Sequence, residues 1–84
     1  MVTILYFARL RETLGKGSEQ IALPENVSDV ASLRDTLILR GGAWASELAQ
    51  SKNVRMAVNQ DMASPETPVN DGDEIAFFPP VTGG

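Results

Sequence analysis

The residues best suited to chemistry are the last six, Pro79, Pro80, Val81, Thr82, Gly83 and Gly84. They carry no charged side chain and offer one reactive group, the carboxylate of Gly84. A carboxylate is inert at neutral pH and must be activated before it enters acyl chemistry. ATP can convert it to an acyl-adenylate, and a sulfur donor that displaces AMP then leaves a thiocarboxylate with a nucleophilic sulfur. The neighbouring residues suit such a group. Pro79-Pro80 favours a stiff polyproline II conformation, so the tail is expected to project from the domain. Six residues reach at most roughly 20 Å when extended. Gly83 and Gly84 have no side chains, so the end can thread a narrow channel and take almost any φ/ψ inside it. No other chemistry competes. The sequence contains neither histidine nor cysteine, which excludes a Ser-His-Asp triad, a thiol nucleophile, a Cys/His zinc site and disulfide staples. Asp71, Asp73 and Glu74 lack the remaining ligand positions of an EF-hand loop. They read as a turn with an acidic rim for a basic partner. No catalytic residue and no metal ligand is expected within the chain.

Something must position that tail, and 84 residues with a mass of 9.0 kDa suffice for one small domain. With 43% apolar and 21% charged residues, the chain reads as globular rather than disordered. Its net charge is −4. The first 42 residues are balanced, so the whole excess falls in residues 43–84. Such a surface repels phosphate backbones, which argues against nucleic acid as a partner. No apolar run approaches the roughly 20 residues of a membrane span, and no basic segment precedes the first apolar stretch. The expected location is the cytoplasm, away from any membrane.

Residues 2–8 are β-branched and aromatic and read as a central strand. Glu12 to Ser18, with Gly15 and Gly17, reads as a turn into a second strand over 19–24, which suggests a hairpin. Ser28 is the expected N-cap of one long helix over 28–40, with Val30, Leu33, Leu37 and Ile38 at helical spacing and Gly41-Gly42 at its end. Residues 43–50 suggest a short helix with Trp44 and Leu48 facing inward. Strands are expected over 54–58, near Met62 and over 74–78, with turns at 59–61 and 71–73, and Pro79-Pro80 ends the last strand. The order β-β-α-(α)-β-β-β describes an α+β domain. Its economical solution is a β-grasp, or ubiquitin-like, mixed sheet packed on one main helix. The domain is expected to span residues 1–78, with a flexible tail over 79–84.

The segments ILYFARLRE at 4–12, AVNQ at 57–60 and DGDEIAFFPPVTGG at 71–84 resemble the ThiS/MoaD family, specifically the MoaD-type sulfur carriers of molybdopterin synthase. The last segment is the most specific, because an aromatic pair, a proline pair and a terminal diglycine occur together in order. Residues 13–53 match only in pattern, Trp44 included. The resemblance implies a non-catalytic sulfur-donating subunit with two successive partners. An adenylyltransferase of the MoeB type would use ATP and Mg²⁺ to adenylate Gly84, which a sulfur donor then converts to the thiocarboxylate. A large synthase subunit of the MoaE type would receive residues 79–84 in its active site, within a heterotetramer. There the sulfur passes to cyclic pyranopterin monophosphate in molybdenum cofactor biosynthesis. The carrier itself binds no cofactor. By position, the family's partner-binding apolar patch maps onto Phe7, Met62 and Phe78. Tyr6-Phe7 and Phe77-Phe78 are adjacent apolar pairs on alternating strands, so a helix covers one member and leaves the other open. Arg11-Glu12 reads as a solvated ion pair. Three alternatives stand beside this reading: a thiamine-pathway sulfur carrier, a ubiquitin-like protein modifier and a plain β-grasp binding domain.

Overall fold

The two most apolar, β-prone segments lie at opposite ends of the sequence, and in the structure they pair with each other. The computed structural model describes residues 1–80. Its elements in chain order are β1 (Val2–Tyr6), α1 (Ala8–Leu14), β2 (Ser18–Ile21), α2 (Val30–Ile38), α3 (Gly42–Glu47), β3 (Arg55–Val58), β4 (Asp61–Met62) and β5 (Glu74–Phe78). The strands form one mixed sheet in the order β2-β1-β5-β3-β4. β1 and β5 run parallel at its centre, with Thr3 opposite Glu74 and Tyr6 opposite Phe77. The other pairings are antiparallel.

Alternation along the strands sets which face is covered. Val2, Ile4 and Tyr6 of β1, Ile75 and Phe77 of β5 and Met56 of β3 are buried. Leu10 and Leu14 of α1 join Val30, Leu33 and Leu37 of α2 and Leu48 in the same core. Full burial of a side chain such as Leu33 or Ile75 contributes about 1.5–3 kcal/mol. The result is the expected α+β β-grasp: helices on one face of a mixed sheet, and the other face free of helix. Among the described residues no helix is long and apolar enough to cross a membrane.

Several boundaries differ from the sequence expectation. The first strand stops at Tyr6, and α1 occupies part of the expected 12–18 turn. β1 and β2 do pair antiparallel, but through a helical connection rather than a tight hairpin. The observed order is therefore β-α-β-α-α-β-β-β. α1 has an i, i+4 apolar pair, Leu10 and Leu14, and ends on Gly15 at φ +76°, where a left-handed residue closes the last turn. The N-cap of α2 is Asp29, not Ser28. Asp29 Oδ1 accepts from the Ser32 amide at 2.8 Å, and Ser32 Oγ accepts from the Asp29 amide at 3.2 Å, a reciprocal capping box. Ser28 lies one residue outside, its carbonyl accepting from the Val69 amide at 3.0 Å. α2 closes at Ile38 rather than 40, because the Arg40 and Gly41 amides turn back to the Leu37 and Ile38 carbonyls. β2 stops at Ile21, short of Pro24. Asn59 and Gln60 both have positive φ, +50° and +72°, which makes a two-residue primed turn between β3 and β4.

Candidate functional site

The sheet register builds an apolar surface on the face without helices. Leu5 pairs with Ala76, Ala76 with Ala57, and Ala57 with Met62. These four form a row across the sheet. Phe78 lies two residues beyond Ala76 on the same face, opposite Arg55. Phe7 follows β1 in an extended conformation, φ −119° and ψ 156°, so it continues the alternation and points away from buried Tyr6. Met62 is 65% exposed and Phe7 46%. Phe78 is half-buried, whereas its neighbour Phe77 is fully buried. Of each adjacent aromatic pair the helices cover Tyr6 and Phe77.

β1 and β5 are parallel, so both end at the same edge of the sheet. There the Phe7 amide donates to the Phe77 carbonyl at 3.2 Å. Ala8 then takes φ +52°, an uncommon conformation for a residue with a Cβ. That single left-handed residue turns the chain out of the sheet and into α1. It leaves Phe7 facing outward and Arg9 beside the root of the tail. Pro79 and Pro80 continue from β5 and line a cavity of about 190 Å³. Leu10 and Val54 give it apolar lining, and Arg9, Glu47 and Lys52 give it charge. Arg9 Nε lies 3.4 Å from Glu47 Oε1. Val81, Thr82, Gly83 and Gly84 lie outside the described residues, and with them the expected projection of the tail.

The acidic residues read from the sequence as a turn with an acidic rim lie apart from this site. Asp71, Asp73 and Glu74 sit where β5 begins, at the opposite end of the sheet from Pro79. Asp71 pairs with the Met1 amine. Asp73 accepts from Asn59 Nδ2 at 3.0 Å and from the Asn70 amide at 2.8 Å, and these bonds hold its carboxyl below the usual range. These two aspartates organise the turn around Gly72, which has φ +91°. Among the described residues no three acidic, His or Cys side chains gather to hold a metal ion. Arg11 and Glu12 are exposed on α1 and form no ion pair with each other. Adjacent helical residues point about 100° apart, which explains the miss.

Two polar arrangements were not anticipated. Tyr6 Oη donates to Glu19 Oε2 at 2.7 Å and accepts from Trp44 Nε1 at 3.3 Å. The Arg40 guanidinium holds Glu19 with two bonds, 2.8 and 3.0 Å. Arg40 and Lys16 also lie 5.1 and 5.7 Å from the Trp44 ring centre. Burial pushes the Tyr6 hydroxyl far above its ordinary range. Burial also works to raise the Glu19 carboxyl, but the Arg40 and Tyr6 bonds and the charges of Arg40 and Lys16 outweigh it and hold it low. The second arrangement is Arg34, a buried cation on α2. Its Nε donates to the Leu48 carbonyl at 2.7 Å, and its Nη2 donates to the Ala49 and Lys52 carbonyls at 2.7 and 3.0 Å. It pins the segment that carries Lys52 to the cavity beside Pro79 and Pro80. An Arg at helical spacing between Leu33 and Leu37 is the only hint of it in the sequence.

The ThiS family model matches residues 4–84. The molybdopterin synthase sulfur carrier subunit of Escherichia coli (strain K12) is 40% identical over 84 residues, covering 100% of both chains. A solved structure of a molybdopterin converting factor, subunit 1, from Pyrococcus furiosus is 33% identical, with a TM-score of 0.77 over 95% of this chain and 97% of that one. The small archaeal modifier protein 1 of Methanosarcina acetivorans is 26% identical, with a TM-score of 0.72 over 99% and 95% of the two chains. This chain therefore belongs to the ThiS family, and over its whole length it is similar to molybdopterin synthase sulfur carrier subunits.

Proposed function

We propose that this chain is the sulfur carrier of a molybdopterin synthase and that Gly84 is its working residue. The observation that carries the reading is the exit of the chain. β5 delivers Pro79 and Pro80 to the sheet edge beside Phe7 and Phe78, next to an open apolar face. A partner docked on that face is placed to receive the segment that follows. The Gly84 carboxylate attacks the α-phosphorus of ATP and expels pyrophosphate, giving the acyl-adenylate. A hydrosulfide equivalent from the donor then adds to the acyl carbon, AMP leaves, and one proton is released. The adenylating partner supplies ATP, Mg²⁺ and the catalytic groups. The large synthase subunit then takes the thiocarboxylate, and residues 79–84 reach its active site. There the sulfur is given to cyclic pyranopterin monophosphate. A dithiolene needs two sulfurs, so each product consumes two carrier turnovers, which suits two carriers on a dimer of large subunits. Phe7, Met62 and Phe78 dock both partners in turn, in the cytoplasm.

The test begins with an adenylyltransferase of the MoeB type, ATP, Mg²⁺ and a sulfide source, followed by a thiol alkylator and peptide mass analysis. The chain has no cysteine, so an ATP-dependent alkyl adduct on the peptide ending at Gly84 reports a thiocarboxylate. Alkylation also avoids confusion with methionine oxidation, whose mass change is close to that of oxygen-for-sulfur exchange. Deleting Gly84 is expected to abolish the adduct and molybdopterin formation. Persistence of molybdopterin synthesis with the truncated chain overturns the reading. The likeness to an archaeal modifier supports a second use of the same activated glycine, amide transfer to lysine. Higher-mass conjugates in cells would mark it.

A further inference from the structure

Three of the chain's seven basic residues gather at the tail-bearing end although the chain as a whole is negative. Arg9 and Lys52 line the cavity whose wall is Pro79 and Pro80. Arg55 stands opposite Phe78 in the register and shares a second surface hollow with Lys52 and Met62. All three side chains belong to exposed residues. The one acidic residue in the cavity lining, Glu47, has a side chain only 12% exposed and already faces Arg9. The carboxylates Asp71, Asp73 and Glu74 lie at the far end of the sheet. The molecule is therefore polarised along its strands, cationic where the tail leaves and anionic where β5 begins.

The placement is held from below. Arg34 is buried and spends its guanidinium on three carbonyls of the segment that presents Lys52. Burying a cation without a carboxylate is costly unless its donors are satisfied, and here they serve to fix that segment against the tail root. The root of the tail is a wall of the cavity, so a protein that takes in the tail also covers Arg9, Lys52 and Arg55. Those cations come to lie at the rim of that contact, where carboxylates opposite them would complement their charge.

We propose that Arg9, Lys52 and Arg55 form a cationic collar that docks an acidic segment of the large synthase subunit, at the mouth that receives the tail. The inference rests on the function proposed above and adds a second recognition element to the apolar face. The apolar row supplies area, and the collar supplies orientation and encounter rate. Charges at a rim act mainly on association, and their effect is screened by salt.

The experiment measures association of the full-length chain with the large subunit of the same organism by stopped flow, from low to high salt. The double variant K52E/R55E is expected to associate about tenfold more slowly at low salt, with the gap closing as salt rises. K52Q/R55Q falls between, and K52R keeps the wild-type rate. Glu25→Lys, at the other end of the molecule, leaves the rate unchanged or slightly higher. Circular dichroism melting checks that each variant is folded, and the neutral K52Q/R55Q variant carries the test if the reversed one is not. Equal rates and equal salt slopes for wild type and K52Q/R55Q overturn the collar while leaving the apolar face and the function intact. A wild-type chain that never binds the large subunit overturns the proposed function and the collar with it.

Discussion

Glu19 is a half-buried carboxylate that gains from staying ionised. It accepts from Tyr6 and twice from Arg40, and its folded-state pKa lies below the ordinary value of 4.5. A depressed carboxyl stabilises the fold above its unfolded pKa and loses that contribution as pH falls through the folded one. Stability is therefore expected to be flat near neutrality and to decline below about pH 4.5, with Asp73, also held low, adding to the decline. Urea unfolding from pH 7 to pH 3 checks this, and Glu19→Gln should be less stable at pH 7 with a shallower acid slope. Arg34 makes a sharper prediction. Arg34→Met leaves the Leu48, Ala49 and Lys52 carbonyls without their donor, at a cost of about 2–4 kcal/mol. Neither arrangement was legible in the sequence. Tyr6, Glu19 and the segment that carries Arg40 and Trp44 are far apart in the chain, and nothing local says that the fold brings them together. The chemistry proposed for the last residues rests on the sequence alone, since Val81 to Gly84 lie outside the described residues.

Short elements were read less well than long ones, for a physical reason. α2 shows repeated helical spacing and a capping signal, so its existence was plain, although Asp29 took the cap from Ser28. α1 is seven residues long with two buried leucines, too short for periodicity to separate it from a turn that contains glycine. Its start is fixed by tertiary structure. Ala8 sits at φ +52° because β1 must end level with β5 and the chain must then turn onto the core. Ala8→Gly relieves that conformation and is expected to be neutral or to stabilise by up to about 1 kcal/mol, whereas Ala8→Val costs more than that. Thermal melting decides between them. Alternation on β1 and β5 was read correctly, and it separates two aromatics that composition cannot. Phe77→Ala should cost about 3–5 kcal/mol, as for a filled core site. Phe78→Ala should cost much less in stability and instead weaken binding to the large subunit. Equal melting losses for the two would place Phe78 in the core.

At the scale of the whole molecule, the decisive pairing joins residues 3–6 to residues 74–77 in parallel. The sequence reading reached the mixed sheet because a strand at each end and a crossover helix leave few other arrangements. It could not supply the strand order or the separation of charge between the two ends, since both follow from register rather than from any local pattern. That central pairing makes the domain cooperative from end to end, with β5 bonded on both edges. Two truncations separate the fold from the tail. A chain ending at Asp73 lacks β5, exposes the edges of β1 and β3 and removes Ile75 and Phe77 from the core. It should show no cooperative melting. A chain ending at Pro80 keeps every described strand and helix and should melt within about 2 °C of the full-length protein, which at about 4–8 °C per kcal/mol for a domain of this size is a change below about 0.5 kcal/mol. The same chain should still associate with the large subunit through Phe7, Met62, Phe78 and the collar, while supporting no sulfur transfer. A large fall in its melting temperature would mean that residues 81–84 belong to the fold. Sulfur transfer by the Pro80 chain would take Gly84 out of the mechanism.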